Sequence, residues 1–304
     1  MQCIYALIQS KDDSLQKQEK FLKVSIENTY TLYLLWLSLF VEIHQKAGEQ
    51  LRLSSKKYLD RPSGTLLNLE KLVQNKVLRQ LSENKLLKEE LSRRKLNNWY
   101  LNEEYVKLIY KDIVESEIYK RYITKEELNY QSDKELILDL FKEIIAPNDK
   151  IYEYFEDDKL TWVDDIPIVN TFLLKHLKKS QEHQGDAYFL PRLLKDKEDL
   201  DFANKLLAKT LLQNEKLEKE IEGKTPNWDK DRIADVDSIL LKMAICELLN
   251  FSSIPERVTI NEYLEIAKEY STPKSSIFIN GILDKLTKEY KVAGKLNKVG
   301  RGLL

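Results

Sequence analysis

The chain has 304 residues, of which 33% are Asp, Glu, Lys or Arg, with only 8 Gly and 7 Pro. That length supports one or two full hydrophobic cores, and that composition favours helices over a turn-rich β design. A formal net charge of −1 excludes the strong overall basic surplus common in dedicated nucleic-acid-binding domains.

In chain order, Met1 to Ser10 reads as a helix fragment with Ile4, Leu7 and Ile8 apolar. Leu15 to about Ala47 reads as one long helix or two broken ones, offering Phe21, Leu22, Tyr33, Leu34, Trp36, Leu37, Phe40 and Val41 to a core. The apolar run Leu32 to Val41 is too short to cross a bilayer and reads as a core helix. Gly48 to Gly64, with Arg61-Pro62-Ser63-Gly64, has the breaker content of a connection. Leu66 to Leu96 reads as a polar helix. Trp99 to Ile123 places Tyr105, Ile109, Ile113 and Tyr119 at helical spacing. Thr124-x-x-Glu127 and Ser132-x-x-Glu135 have capping-box spacing, the second opening a helix that Pro147 ends. Further helices are expected over Pro167 to Lys178 and Glu198 to Ile221, before Gly223.

Cys3 and Cys246, the only cysteines, fall in apolar helical patterns and read as buried thiols of a reducing compartment. No signal peptide opens the chain, so a cytoplasmic protein without membrane association is expected. Nothing points to an enzyme. The glycines form no phosphate-binding loop. His44, His176 and His183 lack metal-ligand spacing. Asp157-Asp158 and Asp164-Asp165 read as a solvated acidic loop rather than an acid–base pair. Neither a cofactor nor a metal is expected.

The most informative stretch runs from Asn227 to Leu286. Ile239 to Leu249 is apolar nearly all round, as in a helix enclosed by others. Ile254-Pro255 breaks the chain. A second helix follows, with Ile260, Leu264 and Ala267 on one line and Tyr263, Ile266 and Tyr270 on the next. Thr272-Pro273 opens a third as N-cap and first helical residue. There Phe278, Gly281 and Leu283 should face neighbours, and Gly281 leaves room for another backbone.

This stretch resembles the NusB family of bacterial transcription antitermination factors. The resemblance is carried by Trp228, Asp231-Arg232-Ile233, Val236-Asp237, Ile239-Leu240, Ala244-Ile245 and Glu247-Leu248. It continues through Ile254-Pro255, Val258, Ile260-Asn261-Glu262, Ile266-Ala267-Lys268 and Phe278-Ile279-Asn280-Gly281-Ile282-Leu283-Asp284. Gln2-Cys3-Ile4-Tyr5-Ala6 is similar to the pattern in the family's first helix. Family members usually carry an arginine-rich segment before that pattern, which this sequence lacks; either an RNA contact is lost or the given start is internal to a longer chain.

The resemblance implies an all-α fold of NusB-like helical bundles with an inserted helical segment or subdomain. The expected division is residues 1–47 for the first helices, 48–194 for the insertion, 195–290 for the main domain and 291–304 for a basic tail. It also implies an adaptor that pairs with NusE, a small-subunit ribosomal protein, and binds boxA-type single-stranded RNA. In that role it joins the RNA polymerase antitermination complex and promotes read-through in ribosomal RNA operons. Alternatives within the fold are a protein-interaction scaffold or ribosome-assembly factor without direct RNA binding. A homodimer is also compatible, since some members dimerise through their partner surface. NusB-like domains precede some RNA methyltransferase domains, but the sequence after Leu283 is too short for one.

By the motif match, the RNA side would comprise Gln2, Tyr5, Lys274, Ser275 and Phe278. Lys274 and Ser275 stand at a helix N-terminus that favours phosphate, and Phe278 reads either as a base-stacking ring or as a core aromatic. The partner side would comprise Asp237, Lys242, Glu247 and Asn250, whose other reading is solvation or local ion pairing. Two basic segments are further candidates. Leu51 to Trp99 holds twelve Lys and Arg against five Asp and Glu, while Leu101 to Asp165 holds eighteen acids against nine bases. The first stretch either binds RNA or neutralises the second. Near the C-terminus Lys285, Lys288, Lys291, Lys295, Lys298 and Arg301 face Glu289 alone, and read either as an RNA contact or as an incidental tail.

Overall fold

A computed structural model describes residues 1–10, 14–57, 64–194, 196–224 and 233–299. Among the described residues all regular structure is helical. The chain forms two compact units, a continuous one of residues 26–193 and a discontinuous one of residues 1–25 and 194–304.

Helix α1 covers Gln2–Ser10. Helix α2 covers Leu15–Lys57 without a break, and the boundary between the units falls within it after Ser25. Gly48 therefore lies inside a helix rather than opening a connection. A lone helical glycine costs only about 1 kcal/mol, and the helix formers around it, with Ala47 fully buried, outweigh that. Arg61-Pro62-Ser63 lies outside the described residues.

The continuous unit is built around the part of α2 from Leu32 to Ala47. Trp36 meets the rings of Phe141 and Phe155 edge-on at 5.1 and 4.9 Å. The helices that enclose it are α3 (Gly64–Val73), α4 (Lys76–Glu83), α5 (Lys85–Arg94), α6 (Asn98–Leu101), α7 (Glu103–Glu115) and α8 (Glu117–Ile123). Then come α9 (Tyr130–Leu140), which runs into a π turn at Phe141–Ile145, α10 (Asp149–Asp158) and α11 (Leu160–Lys179). The indoles of Trp99 and Trp162 reach into α2, donating to the carbonyls of Leu35 and Asn28.

The expected helix over Leu66 to Leu96 is three helices, because two buried asparagines interrupt it. Asn75 Oδ1 accepts from the N–H groups of Val77 and Leu78, and Asn84 Oδ1 accepts from that of Leu87. The segment Trp99 to Ile123 is likewise divided, with Ser116 capping α8. The expected capping boxes also move. Thr124 ends α8, and the box that opens α9 pairs Asn129 with Ser132, so Ser132 closes it. Starting at Asn129 places Asp133 in the first turn, where its carboxylate accepts from Lys76 N–H and the Tyr122 hydroxyl.

Helix α11 begins seven residues before Pro167 and carries that proline inside it; the buried Trp162 anchors its first turn. The acidic pairs consequently lie on helices rather than in a solvated loop. Asp157 and Asp158 end α10, while Asp164 and Asp165 sit within α11, with Asp165 buried.

In the discontinuous unit, α12 (Lys197–Leu212), α13 (Asn214–Ile221), α15 (Glu256–Tyr270), α16 (Ser275–Val292) and α1 all pack on α14 (Asp235–Asn250). The burial of Ile239 to Leu248 on every side fits the apolar pattern read in the sequence. Cys3 and Cys246 are both buried in this core. Leu283 is fully buried and Phe278 packs against the core. Gly281 is the exception, being exposed with nothing near the position a Cβ would take. No close backbone approach explains it.

Candidate functional site

The polar residues of α14 are spent on its neighbours. Asp237, only 4% exposed, accepts at Oδ1 from Ser271 Oγ at 2.6 Å. Ser271 Oγ lies 2.9 Å from Ser275 Oγ, and Thr272 Oγ1 lies 2.8 Å from the same oxygen. A carboxylate–hydroxyl chain thus ties the first turn of α14 to the entry of α16. The buried Lys242 donates to Asn214 Oδ1 at 2.9 Å and pairs with Glu218 at 3.4 Å, both on α13. The buried Glu247 accepts from the Tyr263 hydroxyl at 3.0 Å. Burial pushes its carboxyl up, opposed by that hydroxyl and by the charge of Lys298. Asn250 donates to Cys246 O and accepts from Lys209 of α12 at 3.1 Å. These four positions together link α14 to α12, α13, α15 and the turn before α16.

The residues on the other list are more open. Tyr5 on α1 is 41% exposed and Gln2 is partly so. Lys274 is exposed at the entry of α16, and Ile277, one turn on, is 74% exposed. Phe278 is half-buried against the core. Ser275 differs, being buried within the chain that holds Asp237. The structure therefore joins one expected RNA-side residue to one expected partner-side residue, a link with no signal in the spacing. Trp228, Asp231 and Arg232 lie outside the described residues.

The basic C-terminal segment folds back on its own unit. Lys288 pairs with Asp284, Lys291 with Glu256 and Lys295 with Glu220. Lys298 donates to the carbonyls of Phe251 and Glu247 at 2.9 and 3.3 Å, satisfying the end of α14. Burial lowers its pKa. Val299 N–H adds a bond to Ser252 O at 2.9 Å. Lys285 remains exposed, and Arg301 lies outside the described residues. In the basic stretch before Trp99, Arg79 pairs with Glu83, and Arg93 and Arg94 with Glu90. Lys76 reaches Glu182.

Among the described residues no group of three or more His, Cys, Asp or Glu side chains is arranged to hold a metal ion. No described helix is long and apolar enough to cross a membrane.

The NusB family model matches residues 168–288, from within α11 to the last turns of α16. The protein named transcription antitermination protein NusB of Salinibacter ruber is 41% identical over 138 residues, which is 43% of this chain and 86% of that relative. Proteins of the same name are 42% identical over 104 residues in Chloroherpeton thalassium and 41% over 111 in Natranaerobius thermophilus. These alignments take in 34% and 35% of this chain, and 49% and 76% of the respective relatives. No solved structure matches. With most of the Salinibacter relative covered at that identity, and with the all-helical arrangement around α14, the chain belongs to the NusB family.

Proposed function

We propose that this protein is a NusB-type transcription antitermination factor, a non-catalytic adaptor that binds boxA-type single-stranded RNA together with NusE and promotes read-through in ribosomal RNA operons. The family match carries this reading. It is supported by the way α1 and α16 flank the same central helix, with Tyr5 and Lys274 exposed. Single-stranded RNA is held by cations on phosphate and by ring or edge contacts to splayed bases. Lys274 serves the first role and Tyr5 the second, with Gln2 as an edge contact and Phe278 at the margin. Ser275 acts from beneath, fixing the turn that presents Lys274. On the partner side, Asp237, Lys242, Glu247 and Asn250 set the packing of α14 and so the shape offered to NusE. The helices α3 to α10 are an elaboration on the family fold.

Binding of a boxA-type RNA across a salt series, with and without NusE, tests the reading. Affinity should rise with NusE and fall with salt. Lys274→Glu should weaken RNA binding and lower the salt slope by about 0.7, the value of one lost phosphate contact on a single strand, with helical content unchanged. Unaltered RNA affinity in the folded variant removes Lys274 from the site. Pairing with NusE that brings no gain in RNA affinity would instead favour the scaffold role.

A further inference from the structure

The continuous unit contains a pocket of about 290 Å³ that none of the residues assigned above reaches. Thr29, Tyr30 and Tyr33 of α2, Ile168 and Phe172 of α11, and Arg192 contribute to its wall. The volume lies at the small end for small-molecule sites, about 300–1,000 Å³. It suits one ring system, not a helix or a strand.

Aromatic rings converge on it. Tyr33 meets Phe172 edge-on at 5.5 Å, and Tyr30 stacks on Tyr33 at 6.0 Å. Behind Phe172 runs a column of near-parallel rings, with Phe172 on His176 at 5.5 Å and 13°, and His176 on Tyr188 at 4.2 Å and 10°. The column is pinned at both ends of its lower pair. His176 Nε2 lies 2.8 Å from the Tyr188 carbonyl, and the Tyr188 hydroxyl donates to the His176 carbonyl at 2.7 Å. A carbonyl only accepts, so Nε2 carries the proton. The column ends at Phe172, which lines the pocket and is 44% exposed. A planar ring laid there would extend the stack.

The charges around the rim are unequal. Arg94 is engaged, its guanidinium 5.1 Å above the Tyr30 ring and its nitrogens paired with Glu27 and Glu90. Arg192, in the pocket wall, is exposed; Lys175 and Lys179, also exposed, lie outside the wall, three and seven positions beyond Phe172 on the same face of α11. None of these three side chains makes a hydrogen bond or ion pair within the described residues. An apolar ring platform with an unpaired guanidinium in its wall and further cations along the adjoining helix face suits single-stranded nucleic acid, since every base offers a π face and every linkage a negative charge.

We infer that this pocket takes one base of a single-stranded RNA, stacked on Phe172, while Arg192 meets an adjoining phosphate and Lys175 and Lys179 on α11 offer charge to the strand beyond it. It is a second contact for RNA flanking the element bound at α1 and α16, and it rests on the RNA-binding reading above.

The test uses the full chain and two fluorescein-labelled RNAs, a boxA-type element alone and the same element with its natural flanking nucleotides. Phe172→Ala should weaken binding of the longer RNA about tenfold, within the range of one lost base stack. Phe172→Trp should retain it, and Arg192→Ala should weaken it with a shallower salt dependence. All three variants should bind the short element as the parent does. Photocrosslinking with bromouridine-substituted long RNA should mark the peptides carrying Tyr30 or Phe172. Equal affinity of folded Phe172→Ala and Arg192→Ala proteins for the longer RNA overturns the inference, while Lys274→Glu on the short element still reports on the first site. Equal losses on both RNAs, with lowered helicity, would make Phe172 a packing residue and overturn it as well. If the parent binds neither RNA, both readings fall.

Discussion

Asp165 is the residue whose chemistry departs most from its appearance in the sequence. It is 7% exposed, and its Oδ2 has no hydrogen-bond partner among the described residues. Burial pushes its carboxyl up to about 6, against a hydrogen bond from Thr29 that lowers it and with a smaller push upward from the charge of Asp164. A carboxyl raised on folding favours the native state below its unfolded pKa, near 3.8. That contribution is lost as the pH rises through about 6. At pH 7 the charged form is therefore a liability. Asp165→Asn should stabilise the continuous unit at pH 7 by about 1–2 kcal/mol, since each pKa unit is worth about 1.4. The gain should shrink toward zero as the pH falls to 4. Urea unfolding followed by tryptophan fluorescence suits the measurement, because Trp36, Trp99 and Trp162 all belong to that unit. A difference between variant and parent that stays constant with pH would mean that Asp165 has the same pKa in the folded and unfolded protein, and so is not perturbed by burial.

At the level of helices, the buried asparagines decide where elements stop. Asn84 is fully buried between α4 and α5. Its Oδ1 caps α5, and its Nδ2 donates to the Asp186 carbonyl at 2.9 Å. Asn84→Ala removes a cap and leaves that carbonyl without its donor, so it should cost about 2 kcal/mol in chemical denaturation. A loss below about 0.5 kcal/mol, the size of an ordinary surface change, would show the cap to be replaceable. The same asparagines mark the limit of what the sequence discloses. The apolar run of α14, the break at Pro255 and the burial of Ile109, Ile113 and Tyr119 all follow from periodicity, because hydrophobic spacing is a local signal. Asn75 and Asn84 look like any polar residues in a helical stretch until distant partners bury them. The pocket escaped for a related reason: Tyr33 reads as core, Phe172 falls in an ordinary helix, and only the fold places both beside Arg192. For the family residues, motif comparison proposes Lys274 and Tyr5 for the RNA side, whereas the bond between Ser271 and Asp237 needed coordinates.

For the molecule as a whole, two separate cores are the governing fact. Among the described residues, the core around Trp36 draws only on the continuous unit, and the core around α14 only on the discontinuous one. A fragment of residues 26–193 should therefore fold alone, giving a helical spectrum and one cooperative thermal transition. A broad, non-cooperative melt would show that it needs the other unit. The discontinuous unit has no such autonomy, since Cys3 and Ile4 belong to a core otherwise made from residues after Leu194. On the ribosome, with about 5–20 residues added per second, α1 waits roughly ten seconds or longer for the helices that will cover it. Throughout that interval an unoxidised thiol and an apolar stripe of α1 stand uncovered. A chaperone in the translating cell could hold this stripe, and early folding of the continuous unit would shorten the tether across which α1 must find its place.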